Sequence, residues 1–188
     1  HYNLDWLNPK KMFSAAEFKE KAQKWIARIQ KKRQVPFLVG GTGLYIDAVV
    51  DNLSFPKVLA DQALRDELSQ KSLEELLTQL DEIDPEAGAM IDRNNPRRVI
   101  RALEVSLLSG TPFSAQRTKG EKLYDVLYLG VSVSKEELDC RLDARIENME
   151  ASGLVQEVQR LAKKYPFTLP SMSGIGYREF EGFVSGTE

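Results

Sequence analysis

The chain has 188 residues, with 26 Lys and Arg against 28 Asp and Glu, a formal net charge of −2, one His and one Cys. A hydrophobic share of 42% and a charged share of 29% are ordinary for a globular protein and exclude wholesale disorder. A lone Cys140 excludes an internal disulfide framework, and one His with one Cys cannot form the usual zinc cage. These features predict a reduced, intracellular, zinc-poor protein with one domain, or one domain plus a small insertion.

The first 55 residues have the pattern of an α/β protein with a parallel sheet. A capping box at residues 14–17 (Ser-Ala-Ala-Glu) predicts the start of a helix that ends near the basic triplet at 31–33. The apolar run 36–40 is closed by glycines and predicts a buried parallel strand. A glycine turn then leads into a second apolar helix. Helix, strand, turn and helix in this order favour the α/β class.

Between residues 56 and 122 the strand signal disappears, and the pattern predicts an all-helical insertion. Helices are expected from residue 61 to 69, from a capping box at 72–75 onward, and from Pro96 to Leu108 with Asn95 as cap and Gly110 as terminator. A strand is expected again at 126–133, followed by a third capping box at 134–137 and further helices. The predicted organisation is therefore a discontinuous core, 1–55 and 123–188, around an insertion at 56–122.

The glycine turn that follows the first predicted strand is a candidate ligand site. Gly40, Gly41, Thr42 and Gly43 stand where open α/β sheets bind ligands, and glycines let backbone amides approach a phosphate. A tight strand-to-helix turn without a ligand explains the same residues equally well. The chain contains no G-x-x-x-x-G-K-[ST] motif, so a phosphate loop of that type is not among these residues.

Three arginines in the first turns of one predicted helix form a second candidate site. Arg97, Arg98 and Arg101 lie at the positive end of the helix dipole, where acids would be more favourable. The mismatch favours an anionic partner such as an RNA backbone. The alternative is that these arginines pair with the neighbouring acids Asp92 and Glu104.

A further pair of arginines, Arg141 and Arg145, is spaced i,i+4 on the helix that follows residue 134. The pair predicts a guanidinium clamp on phosphate. The alternative is a salt-bridged exposed face, because Asp139 and Asp143 lie beside the arginines on the same helix.

A late loop combines flexible backbone, an aromatic ring and a cation in six residues. This composition suits stacking on an unpaired base; a loop with a buried tyrosine is the alternative. Its candidate residues are Ser173, Gly174, Gly176, Tyr177 and Arg178.

Taken together, three ordered motifs resemble the bacterial tRNA dimethylallyltransferase (tRNA isopentenyltransferase) family. The motifs are FLVGGTGLY at residues 37–45, NPRRVIRALE at 95–104 and GIGYR at 174–178. The resemblance extends over essentially all 188 residues, and three motifs in the same order make coincidence improbable.

This resemblance implies an α/β fold, namely a partial P-loop NTPase-like parallel-sheet core with an inserted all-helical domain. It implies transfer of a dimethylallyl group from dimethylallyl diphosphate to N6 of the adenosine beside the anticodon, in a cytoplasmic monomer that binds the tRNA anticodon stem-loop. Mg²⁺ would accompany the diphosphate, with its ligands outside this chain. The positions similar to tRNA contacts of the family are Thr42, Arg65, Arg97, Arg98, Arg101, Ser173, Gly174, Gly176, Tyr177 and Arg178.

The chain also departs from the family pattern. The N-terminal P-loop, the acidic residue thought to take the adenosine proton and the C-terminal basic-aromatic segment are missing from it. The resemblance therefore implies a fragment that is inactive alone, with Arg141 and Arg145 as candidates for the leaving-group diphosphate. Three alternatives remain at this point: an RNA-binding module without enzyme activity, a P-loop small-molecule kinase with residues 56–122 as a lid, and an adenylate isopentenyltransferase acting on free nucleotide.

Overall fold

The computed structural model describes residues 1–116 and 118–187, which form α-helices, short 3₁₀ helices and connecting segments. The described chain divides into a larger compact unit, Ala15–Val126, and a smaller unit made of His1–Ser14 together with the chain from Leu127 onward. The helices are α1 (Ala15–Lys31), α2 (Gly43–Val50), α3 (Gln62–Ser69), α4 (Leu73–Ile83), α5 (Ala87–Met90), α6 (Pro96–Ser109), α7 (Phe113–Gln116), α8 (Lys135–Ala151), α9 (Leu154–Ala162) and α10 (Glu181–Ser185), with 3₁₀ helices at Pro170–Ser173 and Arg178–Phe180.

The core of the larger unit lies where α4 and α6 pack together, with α3 beside α6. Leucines one turn apart on α4 and apolar residues at helical spacing on α6 place one face of each helix in this core. Fully burying one such side chain stabilises the fold by about 1.5–3 kcal/mol. The buried cluster consists of Leu68, Leu76, Leu80, Ala87, Val99, Ala102 and Leu103.

The ends of α4 and α6 follow the capping signals in the sequence. Ser72 Oγ accepts a hydrogen bond from the Glu75 amide at 3.3 Å, and a Glu75 carboxylate oxygen accepts from the Ser72 amide at 2.8 Å, which completes the predicted capping box. Pro96 occupies the first turn of α6, and Gly110 ends the helix in the left-handed conformation with φ +67°. Asn95 stands at the N-cap but its side chain makes no capping hydrogen bond.

A buried carboxylate, Asp84, joins the end of α4 to α5 and α7. One Asp84 oxygen accepts hydrogen bonds from the Ala87 amide at 3.2 Å and the Ser114 hydroxyl at 2.6 Å, and the other accepts from the Ser114 amide at 2.8 Å. Ser106 Oγ accepts from the Phe113 amide at 3.0 Å and links α6 to the start of α7. The helices from α4 to α7 are therefore tied at their ends as well as through their apolar faces.

The parallel strands predicted at 36–40 and 126–133 are not observed. Neither segment has regular secondary structure, and the β pairing in the described residues is one isolated antiparallel bridge between Leu53 and Lys119. Side chains expected to be buried are exposed: 80% for Phe37, 89% for Val39 and 93% for Val131. A strand requires a hydrogen-bonded neighbour, and neither segment has one among the described residues.

The smaller unit contains one long helix that buries little. Ser134 Oγ accepts from the Glu137 amide at 3.2 Å and caps α8, yet no residue of α8 is buried. Three apolar residues at helical spacing on one face of α8, namely Leu138, Leu142 and Ile146, are each about half exposed. The described helices include none that is both long enough and apolar enough to cross a membrane.

Candidate functional site

Two of the predicted tRNA-contacting arginines meet at one buried carboxylate in the larger unit. Arg65 of α3 donates from Nε and Nη2 to the two carboxylate oxygens of Glu104 on α6, at 2.8 and 2.9 Å. Arg101 donates from Nη1 to the same carboxylate at 2.5 Å and from Nη2 to the Val58 carbonyl at 3.2 Å. The Glu104 side chain is fully buried, whereas the Arg65 and Arg101 side chains are 34% and 36% exposed.

The pKa of Glu104 shows that its hydrogen bonds offset the cost of burying its charge. Burial by itself raises the pKa, because it removes water from the charged form. The hydrogen bonds from Arg65, Arg101 and the Asp61 amide outweigh burial, so the pKa of Glu104 lies below its ordinary value. Glu104 is therefore ionised at neutral pH, and the three side chains together carry a net positive charge.

Arg97 and Arg98, in the first turn of α6, are exposed and make no ion pair with any residue between 1 and 116 or between 118 and 187. Asp92, the predicted alternative partner, instead accepts from the Asn94 amide at 3.1 Å. Arg101 does take its alternative partner, Glu104. We call Arg65, Arg97, Arg98 and Arg101 together the arginine surface.

The glycine turn is exposed, with open space beside its glycines. Thr42 is exposed at the N-cap of α2 and its side chain makes no capping hydrogen bond. A Cβ atom added at Gly40, Gly41 or Gly43 would meet no heavy atom within 4 Å in the described part of the chain, and none of these glycines has a positive φ. Among residues 1–116 and 118–187, neither packing nor backbone conformation therefore requires glycine at these positions.

The predicted phosphate clamp lies on the exposed helix of the smaller unit. Arg141 and Arg145 line an open depression of about 460 Å³ on α8. Arg141 Nε donates to a Glu137 carboxylate oxygen at 2.6 Å. Arg145 makes no ion pair within the described residues, and neither arginine uses Asp139 or Asp143 as expected from the alternative interpretation.

The late loop, also in the smaller unit, holds its tyrosine by a long-range contact. Gly176 has φ +90°, a backbone conformation that residues other than glycine rarely adopt. Its amide donates a hydrogen bond to a Glu179 carboxylate oxygen at 2.7 Å. The Tyr177 hydroxyl donates a hydrogen bond to a carboxylate oxygen of Glu157 on α9, at 2.5 Å. Arg178 is 67% exposed, with Nη2 3.7 Å from Glu179.

Two titratable groups of this loop have shifted pKa values. The hydrogen bond to Glu157, followed by burial, raises the pKa of Tyr177, so its hydroxyl stays protonated at neutral pH. Hydrogen bonds from backbone amides, its own and that of Gly176, lower the pKa of Glu179. Ser173 donates its hydroxyl to the Pro170 carbonyl at 2.8 Å, and Gly174 follows it at the end of the 3₁₀ helix.

The predicted residues thus belong to two separate units. Thr42 and the arginine surface are in the larger unit, and the structure brings Arg65 and Arg101 together there. Arg141, Arg145 and the 173–178 loop are in the smaller unit. Sequence reasoning named Glu104 as a partner of the nearby arginines but not of Arg65, and it missed Glu157, for which the sequence carries no motif.

No metal site is formed by the residues described. Within 1–116 and 118–187 there is no group of three or more His, Cys, Asp or Glu residues that could hold a metal ion. The described residues therefore offer no protein cage of three or more ligands for Mg²⁺.

Comparison with known proteins identifies relatives across the whole chain. A tRNA dimethylallyltransferase from Roseiflexus sp. is 41% identical over 191 residues, covering 99% of this chain and 63% of the relative. A crystal structure of the tRNA isopentenylpyrophosphate transferase of Bacillus halodurans is similar at 33% identity with a TM-score of 0.63, covering 100% of this chain and 60% of that protein. A eukaryotic dimethylallyltransferase acting on tRNA, 22% identical, shares the fold with a TM-score of 0.77, over 97% of this chain and 48% of that one.

The chain therefore spans just over three-fifths of the length of the Roseiflexus protein. The similarity is not confined to the three motifs, because the sequence model of the IPP transferase family matches residues 1–188, the whole chain. Since that match is complete, the chain belongs to the IPP transferase family.

Proposed function

We propose that the complete protein is a tRNA dimethylallyltransferase, which transfers a dimethylallyl group from dimethylallyl diphosphate to N6 of the adenosine beside the anticodon. The observation that carries the proposal is the family match over all 188 residues. The arginine surface supports the RNA-binding part, since Arg97 and Arg98 offer exposed guanidinium groups that no described carboxylate neutralises. We further propose a monomeric, cytoplasmic enzyme.

In this reaction the lone pair of N6 forms a bond to the allylic carbon, and the carbon–oxygen bond to the diphosphate breaks. The proton on N6 leaves to a base, and the electron pair of the broken bond leaves with the diphosphate. Because negative charge grows on the leaving group, cations near it lower the barrier. We assign this role to Arg141 and Arg145, which line the depression on α8. Mg²⁺ bound by residues outside this chain would act on the same group.

The remaining predicted residues are assigned to the tRNA. Phosphate contacts by the arginine surface would position the anticodon stem-loop. The open glycine turn at Thr42 leaves room for close approach of a nucleotide. Tyr177 and Arg178 would stack on or contact an unpaired base near the target adenosine, as expected for a loop that reads single-stranded RNA.

The exposed apolar segments fit the same proposal. We propose that residues 36–40 and 126–133 are strands of a P-loop NTPase-like parallel sheet. Its remaining strands would come from the part of the family's length that this chain does not span. The high exposure of Val39 and Val131 supports this, because side chains of this type are otherwise buried in sheets.

The RNA-binding part is tested by measuring the affinity of the chain for unmodified tRNA over a range of salt concentrations. Replacing Arg97 and Arg98 together by Ala should weaken binding about tenfold and lower the salt slope by about two. The matched control is Lys31→Ala with Lys32→Ala, which removes the same charge from exposed positions at the end of α1. Equal losses in the two double variants would contradict a specific surface.

The catalytic part is tested in the complete protein with labelled dimethylallyl diphosphate and two acceptors, tRNA and adenosine monophosphate. Replacing Arg141 and Arg145 by Ala should lower kcat far more than it lowers tRNA affinity. Transfer to the free nucleotide but not to tRNA would favour an adenylate isopentenyltransferase instead. The 188-residue chain alone should show no transfer, and detectable prenylation by it would contradict the prediction that it is inactive by itself.

A further inference from the structure

The Glu104 carboxylate is an unusual residue for an RNA-binding surface. It lies fully buried beneath two partly exposed arginines and reduces the positive charge that they present. If attraction to phosphate were the whole purpose of Arg65 and Arg101, an acid between them would weaken it. A buried ion pair is also weak support for stability, since removing charges from water offsets the attraction between them.

The geometry shows what the carboxylate achieves. Arg65 is held by two parallel N–H bonds, at 2.8 and 2.9 Å, which fix the plane of its guanidinium group. Arg101 is fixed between Glu104 at 2.5 Å and the Val58 carbonyl at 3.2 Å. The Asp61 amide, at 2.8 Å, also donates to Glu104 and ties the carboxylate to the start of α3.

Both guanidinium groups keep donors for another partner. Arg65 makes no bond through Nη1 and Arg101 none through Nε within the described residues. About a third of each side chain remains exposed. A rigid pair of partly free guanidinium groups can bind phosphate oxygens with less loss of side-chain entropy than two mobile ones.

We propose that Glu104 is a positioning residue that fixes Arg65 and Arg101 in one orientation, so that their remaining N–H groups bind phosphate oxygens of the tRNA backbone. This inference rests on the proposed function, because it concerns the same arginine surface. The positioning role of Glu104 concerns Arg65 and Arg101 only. Because Arg97 and Arg98 do not contact Glu104, they should bind tRNA whether or not Glu104 is present.

The first test is Glu104→Gln, measured for affinity to unmodified tRNA. The substitution makes the cluster more positive, so attraction by charge alone would strengthen binding. Loss of orientation should instead weaken binding about tenfold and lower the salt slope by about one. The matched control is Asp81→Asn, which neutralises an exposed carboxylate held by Arg93 through two bonds of 2.7 Å. The control should leave tRNA affinity within about twofold.

The second test does not depend on how well Glu104→Gln folds. Arg65→Lys and Arg101→Lys keep the charge but lose the planar, two-bond geometry. Each should weaken tRNA binding by about fivefold to tenfold, whereas Arg93→Lys should leave it unchanged. Circular dichroism at the assay temperature establishes that the variants compared are folded.

The outcomes separate the inference from the function on which it rests. If the wild-type chain and the complete protein both fail to bind tRNA, the proposed function is wrong. If the wild type binds and Arg97→Ala with Arg98→Ala weakens that binding, the RNA-binding part of the proposed function stands. Equal or tighter binding by Glu104→Gln, or full affinity in both lysine variants, would then overturn the positioning role alone.

Discussion

Leu103 and Leu129 are chemically identical, yet the first is fully buried and the second is 79% exposed. Leu103 lies on α6, whose backbone satisfies its own hydrogen bonds and whose apolar face meets α4. Leu129 lies in the apolar segment 126–133, which has no neighbouring strand among the described residues. A helix can be complete within a short stretch of sequence, whereas a strand depends on partners elsewhere.

The largest expected effect comes from truncating the same residue type in both regions. Leu103→Ala should lower the free energy of unfolding of this chain by about 2–5 kcal/mol, because it leaves a cavity in the core. Leu129→Ala should change it by less than about 0.5 kcal/mol, because the side chain is exposed. Urea denaturation followed by circular dichroism measures both.

The same pair of variants in the complete protein sharpens the comparison. If residues 126–133 form a buried strand there, Leu129→Ala should become costly, approaching the effect of Leu103→Ala. A Leu129→Ala effect that stays small in both proteins would contradict the proposed sheet.

Acid should destabilise the larger unit through Glu104. Its pKa is lowered in the folded state, so its contribution is fully present above the ordinary pKa and is lost as pH falls through the folded value. Between pH 7 and pH 3 the wild-type chain should therefore lose more stability than Glu104→Gln does. At pH 7, Glu104→Gln should itself cost about 1.5–3 kcal/mol, since hydrogen bonds to a charged group are removed. Parallel pH profiles would show that Glu104 does not contribute to the acid sensitivity.

Removing the two serine caps should have unequal effects. Ser72→Ala removes half of a complete capping box on a helix that packs in the core, and should cost about 1 kcal/mol of global stability. Ser134→Ala removes the cap of α8, which buries no residue, so it should reduce helix content with little change in the main unfolding transition. Equal shifts in that transition would indicate that α8 is packed in solution.

Small effects on stability are expected at two glycines. Gly110→Ala places a side chain at φ +67° and should cost about 1 kcal/mol. Gly41→Ala meets open space and should alter stability by less than about 0.5 kcal/mol. In the complete protein, Gly41→Ala should nevertheless lower the affinity for tRNA if a nucleotide approaches this turn. Unchanged tRNA affinity would remove the glycine turn from the site.

Local rules of the sequence predicted the helices well. The capping box at Ser72 and the glycine at 110 mark observed helix ends, because these signals involve residues only a few positions apart. The strands predicted at 36–40 and 126–133 were not observed in this chain. An apolar run indicates that a segment tends to be buried, but it does not identify the neighbouring strands that would bury it. The division into a core and an insertion at 56–122 remains a prediction.

For the candidate site, the sequence predicted residue types better than contacts. Arg97 and Arg101 were named from their place at the positive end of a helix, but only the structure distinguishes the exposed Arg97 from the clamped Arg101. The Arg65–Glu104 pair joins residues 39 positions apart, and the Tyr177–Glu157 bond joins residues 20 apart. Contacts of this range depend on how elements pack, which spacing within one element does not reveal.

Asp84 has a consequence for how the arginine-bearing helix moves. Its hydrogen bonds to Ser114 join residues that lie 30 positions apart, and the chain between them contains α5 and α6. Moving α7 away from the end of α4 would leave a buried carboxylate without these hydrogen bonds, which is costly, so we expect these two helix ends to open together. Because α6 lies within this segment and is joined to α7 through Ser106, we expect the helix that carries Arg97, Arg98 and Arg101 to be restrained by its neighbours rather than to move alone.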